Sequence, residues 1–446
     1  MPDRIVAHIE DRSARGIAAA LNRLIGAGEL TPGSRLPTVR ALAKELGVSP
    51  TTVSEAWQTL AEVGAIEARG RLGTFVRDGD RPHGPRRYRR VTEGPGHFAL
   101  DLSTGTPDPD LLPDLRPVLA RVSRNHLTTS YLDAPVLPEL DERLRADWPF
   151  PAEAITVVDG AMDALDRVTG VVVHFGDRVL VENPGFAPLI DLLDEVGAEV
   201  LPLELDEQGV VPASLAEGLA SDPVAVYLQP RAQNPSGVSL TPARARKLAS
   251  LLRSQRAVVV EDDHAGDIAT SPLVSLGAAL PDRTVHIRSY SKSHGPDLRL
   301  AAVGGAGRVI EDLADRRLLG PGWSSRLLQA VLLELLDDGP TLAAVASARD
   351  IYAQRRAAAV AALRERGVRT TGNDGINLWV EVADEQNALV TLAARGIGAA
   401  PGTPFEVASL AASHLRVTIG LVRERFADVA DDLARAAAGS PRLSSR

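Results

Sequence analysis

The sequence predicts a multidomain chain: a small α+β unit of three helices and a hairpin, then a large α/β unit with a mainly parallel sheet, closed by a smaller α+β unit. Three observations carry this reading. The front of the chain has apolar residues at helical spacing and ends in a short glycine-containing hairpin. Residues 79–98 are rich in Pro, Gly and Arg and lack periodicity, which marks a linker. Beyond residue 99, near-continuous apolar strands alternate with helical stretches, the pattern of a sheet buried on both faces.

In the front unit, residues 4–27 read as one amphipathic helix, with Ile5, Ile9, Ile17, Leu21, Leu24 and Ile25 recurring at helical spacing. Thr38 to Leu46 makes a second helix with Val39, Leu42, Ala43 and Leu46 inward, stopped by Gly47. Ser49 caps a third helix with Pro50 in its first turn, and Val53, Ala56, Trp57 and Leu60 face inward. Residues 63–76 close the unit as a hairpin. Three helices and a basic hairpin make a winged helix-turn-helix over residues 1–78.

In the large unit, 99–440, strands are expected at Ile155–Val158, Val179–Glu182, Val200–Leu205, Ala225–Gln229, Val258–Asp262, Val285–Ser289 and Leu300–Val303. Helices are expected near 161–173, 185–196, 213–220 and 241–254. A small α+β subdomain is expected over about 324–440, with helices at 324–337 and 343–366, a strand at Ile376–Val382, a helix near 385–395 and the run Leu415–Ile419.

Composition narrows the function. At 446 residues with 44% hydrophobic and 24% charged side chains, the chain is globular and exceeds one typical domain. The absence of cysteine excludes a disulfide framework and a thiolate nucleophile or metal site. No signal peptide or membrane span is legible, so a cytoplasmic protein without membrane association is expected. The net charge of −9 is uneven: residues 1–78 hold 10 basic against 9 acidic residues and the linker 5 against 2, leaving the rest strongly acidic. A neutral-to-basic front on an acidic body fits DNA binding confined to the front. The linker arginines read equally as DNA-phosphate contacts or as a solvated tether.

Candidate DNA-contacting groups are Thr38 and Arg40 at the second helix, Ser49, Thr51 and Thr52 at the start of the third, and Arg69, Arg71 and Gly73 on the wing. The run Gly33-Ser34-Arg35-Leu36-Pro37-Thr38-Val39-Arg40-Ala41-Leu42-Ala43, with Leu46-Gly47-Val48-Ser49 and Gly70-Arg71-Leu72-Gly73-Thr74-Phe75-Val76, closely resembles the GntR family of bacterial repressors. Pro50 departs from it, standing where those repressors usually carry a DNA-reading arginine.

A second signal is Lys292. Only three of the 49 basic residues are lysines, and this one lies in Ser289-Tyr290-Ser291-Lys292-Ser293-His294-Gly295-Pro296-Asp297-Leu298-Arg299. A primary amine can form an imine where a guanidinium cannot. Asp262 ends an apolar strand, Asn234 lies in Asn234-Pro235-Ser236-Gly237, and Arg299 follows Lys292. A lysine for an imine, a carboxylate for a pyridinium nitrogen and an arginine for a phosphate are what pyridoxal 5'-phosphate requires.

These residues resemble fold-type I aminotransferases, and their fusion to a winged helix-turn-helix resembles the MocR/GabR-like regulators. The resemblance implies an internal aldimine at Lys292, with Asp262 on the pyridine nitrogen and Asn234 on the ring oxygen. Ser289, Arg299 and the backbone of Gly160, Ala161 and Met162 would hold the phosphate. Phe186 would stack on the ring, Tyr131 would reach the phosphate of a neighbouring subunit, and Arg416 would clamp a ligand carboxylate. His264 stands where a tyrosine bonding the ring oxygen is usual, and its charge is expected to switch near neutral pH. Phe186 replaces a tyrosine, Arg231-Ala232 replace Ser-His, and Val136 replaces a glycine. The resemblance further implies a homodimer, each DNA-binding unit packed on the partner's large domain, on double-stranded operator DNA with repeated half-sites.

Two functions fit. One is a transcriptional regulator that senses an amino-acid or amine effector with a carboxylate, or pyridoxal phosphate itself, through Lys292. The other is a working aminotransferase with an appended DNA-binding unit, in which Lys292 also moves the α-proton. A cofactor-free dimerisation scaffold is disfavoured by the intact Lys–Asp–Arg–Asn set.

Overall fold

The computed structural model describes residues 5–9, 11–26, 29–31, 33–62, 65–68, 70, 73–76, 84–92, 98–122 and 130–438. The front unit holds helices Ala14–Gly26, Val39–Leu46 and Pro50–Glu62 and an antiparallel hairpin pairing Ile66–Ala68 with Thr74–Val76. Leu21, Leu42, Leu46, Val53, Ala56 and Leu60 are buried in one core. Thr38 caps the second helix by accepting from the Ala41 N–H at 3.2 Å, and Gly47 ends it in the left-handed conformation. Ser49 accepts from the Thr52 N–H at 3.1 Å at the head of the third.

The first helix is shorter than its periodicity predicts. The Ser13 N–H donates to Asp11 Oδ1 at 2.9 Å, and the Ser13 hydroxyl accepts from the Gly16 N–H at 3.0 Å. Short polar side chains here satisfy backbone groups locally and start the helix at Ala14. Ile5 and Ile9 nevertheless stay in the core, so their apolar spacing reports burial and not one continuous helix.

The large unit is an eight-stranded sheet in the order Ala154–Val158, Ala301–Gly305, Thr284–Ser289, Val258–Asp263, Ala225–Leu228, Arg178–Asn183, Glu199–Asp206, Gly209–Val210. It is mainly parallel. Ala301–Gly305 runs antiparallel to both its neighbours, and Gly209–Val210 is an antiparallel edge. Helices Ala161–Val172, Ala187–Val196, Pro212–Leu219 and Pro242–Leu252 follow the strands, and apolar clusters fill both faces of the sheet.

A four-stranded antiparallel sheet near the C-terminus includes Leu378–Val382 and Ser413–Val417. Its core also takes Leu102 from the start of the unit. Helix Arg326–Asp337, expected in the small subdomain, instead shares a core with Val118, Leu140, Leu144 and Trp148. Two longer helices, Gly307–Leu318 and Phe426–Ala438, had no counterpart in the sequence reading.

The linker also departs from expectation. Residues Arg86–Thr92 form a helix, with Val91 buried against Ala187, Trp379, Ala400 and Phe405. Docking onto the large unit supplies the stability that local periodicity did not signal. Phe175 packs against the core of the front unit within the same chain, where the resemblance implied the partner's large domain. Among the described residues, no helix is long and apolar enough to cross a membrane.

Candidate functional site

A cleft of about 610 Å³ brings together Lys292, Arg299, Asn234, Arg416, Met162 and Phe186. Lys292 sits in the turn after strand Thr284–Ser289, and its Nζ donates to the Gly105 carbonyl at 2.8 Å. Burial, reinforced by the positive charge of Arg416, lowers its pKa to about 8. An amine in that range has a substantial neutral fraction near physiological pH, as a nucleophile requires.

Asp262 lies near the end of strand Val258–Asp263, only 3% exposed. Its Oδ2 accepts from Gln229 Nε2 at 2.7 Å, and its Oδ1 is buried without a partner among the described residues. Burial pushes its pKa up to about 6. Asp263 next to it behaves oppositely. Burial raises it too, but a bidentate pair with Arg231, at 3.0 and 2.5 Å, outweighs that and holds its pKa below the usual carboxylate range. One carboxylate of the two is therefore neutralised structurally, and the other keeps a buried acceptor atom in reserve.

Gln229 organises this floor. Besides holding Asp262, its Oε1 accepts from the Asn234 N–H at 2.8 Å, and its own N–H donates to Glu182 at 3.0 Å. Burial raises the Glu182 carboxyl to about 8, so it is protonated at neutral pH. Asn234 Oδ1 in turn accepts from Arg416 Nη1 at 3.5 Å.

Arg416, 4% exposed, comes from strand Ser413–Val417 and lies over the Phe405 ring, its guanidinium carbon 5.1 Å from the centroid. It donates to the Ser103 carbonyl as well. A Cβ on Gly105 would meet its Nη1 at 3.0 Å, and Gly105 has φ +68, so only glycine lets this loop touch both Arg416 and Lys292. Gly160 also has a positive φ, +102. It caps helix Ala161–Val172, and a Cβ there would lie 3.5 Å from the Arg299 guanidinium. A helix N-terminus beside an arginine suits a phosphate.

The remaining predicted residues fall in varied places. Phe186 caps helix Ala187–Val196 on the cleft wall. Asp262, Ser289 and His264 do not line the cleft directly. Ser289 is buried, with its hydroxyl 3.4 Å from the Ser291 N–H. His264 bonds the Ala232 carbonyl through Nε2 at 2.9 Å, and burial lowers its pKa to about 4. It is a neutral donor to backbone, which corrects the expectation of a charge switching near neutral pH. Tyr131 is 84% exposed on a loop whose carbonyls at Ser130, Asp133 and Ala134 accept from Arg326. It takes no part in the cleft of its own chain.

The groups fit pyridoxal phosphate on three independent points. Asp262 Oδ1 is a buried acceptor with no partner among the described residues, open to a ring N–H; Lys292 offers a depressed amine; and Arg299 beside the head of helix Ala161–Val172 offers charge and N–H groups to a phosphate.

On the front unit, Thr38, Arg40, Ser49 and Thr51 are exposed and Thr52 is half-buried. The Ser49 and Thr52 hydroxyls lie 2.9 Å apart, which commits them largely to capping and leaves Thr51 and Arg40 the freer groups. Gly73 (φ +109) packs on the Arg35 guanidinium, and Arg35 bridges to Phe75 of the wing. Arg69 and Arg71 lie outside the described residues.

Sequence reasoning missed Gln229, Glu182 and Gly105, whose roles arise from long-range contacts, and the linker residues Gly84, Pro85, Tyr88 and Val91 on the cleft wall. The arginine-rich composition of the linker hid the apolar Val91.

Comparison with known proteins places the two units. Residues 99–433 match the family aminotransferase class I and II, and residues 13–76 match the bacterial regulatory proteins of the gntR family. The chain is 36% identical over 425 residues to the vitamin B6 salvage pathway transcriptional repressor PtsJ of Salmonella typhimurium, covering 93% of this chain and 96% of the relative. It is 28% identical to the HTH-type transcriptional regulator TauR of Rhodobacter capsulatus, over 85% of this chain and 86% of that one. The fold is similar to that of LysN, an α-aminoadipate aminotransferase from Thermus thermophilus, with TM-score 0.71 and 24% identity over 79% of this chain and 94% of that structure.

Proposed function

The chain belongs to the gntR-type transcriptional regulators that carry an aminotransferase class I and II domain, and we propose that it responds to pyridoxal phosphate, or to an amino compound that reacts with it, through Lys292. The observation that carries this reading is that the Lys292 amine and the Arg416 guanidinium line one cleft, with the buried Asp262 carboxylate close enough to Lys292 for the two charges to interact. When bound, pyridoxal phosphate supplies an aldehyde that condenses with primary amines. The residues of this chain do the rest. Lys292 offers a neutral amine, Asp262 holds a proton on the ring nitrogen by charge proximity, and Arg299 with the head of helix Ala161–Val172 holds the phosphate. Arg416 receives the carboxylate of an amino compound. The role of PtsJ in vitamin B6 salvage supports pyridoxal phosphate as the sensed molecule.

Sensing requires that the DNA-competent and incompetent forms bind the ligand with different affinity. Tyr131, exposed on a braced loop, is assigned to a partner's site in a homodimer, whose two front units would read repeated half-sites.

A visible absorbance band on adding pyridoxal phosphate, absent in Lys292→Ala, together with a change in affinity for the protein's own upstream DNA, is the expected result. A spectrum that stays that of free cofactor ends this reading. The lowered Lys292 pKa favours a second one, a working aminotransferase. Steady formation of keto acid from an amino donor, without retardation of upstream DNA, would replace regulator with enzyme.

A further inference from the structure

The tether between the two units builds one wall of the cleft. Gly84, Pro85, Tyr88 and Val91 line it together with Lys292, Asn234, Arg299 and Arg416. The docking is specific. Asp191 accepts from the Arg87 and Tyr88 N–H groups at 3.1 and 2.9 Å, and Arg87 donates to the Glu406 carbonyl at 2.8 Å. Arg87 also pairs with Asp194 at 3.7 Å.

These anchors lie on opposite sides of the cleft. Asp191, Asp194 and Ala187 belong to helix Ala187–Val196, whose cap is Phe186. Trp379, Ala400, Phe405 and Glu406 belong to the C-terminal part of the large unit, where Phe405 supports Arg416. The tether helix therefore straddles the two groups assigned to ring and carboxylate.

We propose that the tether is part of the effector site, with Tyr88 contacting the portion of an amino-acid ligand that extends beyond the carboxylate held by Arg416. This rests on reading the Lys292 cleft as a pyridoxal phosphate site. Tyr88 is 46% exposed, so a ligand covering it removes ring surface from water and gains that part of its affinity only while the helix is docked. A ligand that prefers the docked tether shifts the tether, and through it the DNA-binding unit, without any other relay.

The chain has no cysteine, so Tyr88→Cys introduces a unique thiol. The probe is N-(5'-phosphopyridoxyl)-L-leucine, a stable adduct that spans both the cofactor and the carboxylate positions and carries a side chain beyond them. Iodoacetamide alkylation of the full-length variant is followed with and without it, with Arg90→Cys on the same helix, outside the cleft lining, as control. The probe is expected to slow alkylation of the Tyr88→Cys variant about fivefold or more and to leave the Arg90→Cys variant unchanged. Equal rates in the Tyr88→Cys variant with and without bound probe, or equal slowing in both variants, would overturn the contact. Failure of the unsubstituted protein to bind pyridoxal phosphate or the probe would instead remove the cofactor reading, and this proposal with it.

Discussion

Gln229 holds Asp262 by a 2.7 Å bond to one carboxylate oxygen and leaves the other buried with no partner among the described residues. The same side chain accepts from the Asn234 backbone, so one amide sets two of the residues assigned to the cofactor. Gln229→Leu keeps the bulk and removes both bonds. Leaving such buried groups unsatisfied costs about 1–3 kcal/mol. Affinity for pyridoxal phosphate, read by absorbance titration, is expected to fall roughly 5-fold or more. An unchanged dissociation constant would show that the floor is held by other contacts.

Asp262 makes the cofactor-free protein less stable as pH rises. Its folded pKa of about 6 lies above the unfolded value, so its stabilising contribution is whole below about pH 4 and is lost as pH climbs through 6. At neutral pH the loss is at most about 3 kcal/mol. Asp262→Asn is therefore expected to unfold at a higher temperature than the parent at pH 7, with the gap closing toward pH 4. The same variant is expected to retain cofactor poorly. A gap independent of pH would contradict the assigned shift.

Lys292 must be neutral to attack an aldehyde. With its pKa lowered to about 8, the rate of cofactor capture by the cofactor-free protein is expected to rise with pH and level off above that value. Stopped-flow absorbance measures this directly. A profile still rising toward the ordinary lysine range would mean that burial does not depress the amine.

Arg416→Lys keeps a positive charge and loses the planar fork. Binding of N-(5'-phosphopyridoxyl)-L-alanine is expected to weaken about 10-fold or more, the equivalent of one charge-assisted hydrogen bond. Pyridoxal phosphate, which lacks the carboxylate, serves as the comparison ligand. Equal losses for both would move Arg416 from carboxylate clamp to general support of the cleft.

Arg40 is exposed beside the helix-turn-helix. Arg40→Ala is expected to weaken binding to upstream DNA similarly across sequences and to reduce the salt slope by about 1, as loss of one phosphate contact requires. Loss confined to one base position would instead make Arg40 a base reader.

Much of the fold was legible because its signals are local. The seven expected strands of the large sheet all appear, since apolar runs of β-branched residues declare buried strands. Thr38, Gly47 and Ser49 declare helix ends by their capping chemistry. The first helix was overread because Ile5 and Ile9 are buried without belonging to it. The tether helix was missed because its single deeply buried apolar contact, Val91, gains meaning only against Phe405 and Trp379, far along the chain.

The site divides in the same way. The sequence by itself determined the order of the units, the lone lysine after a strand, the carboxylate near another strand's end and the arginines that follow. The tertiary structure decided what those groups can do. It buried Lys292 and Asp262 and thereby shifted both pKa values, and it gave Asp263 to Arg231 while leaving Asp262 an open acceptor. It turned His264 toward the Ala232 carbonyl and laid the tether across the cleft. The physical reason is common to all of these: periodicity and capping act over a few residues, whereas desolvation and pairing depend on neighbours that only the folded chain brings together.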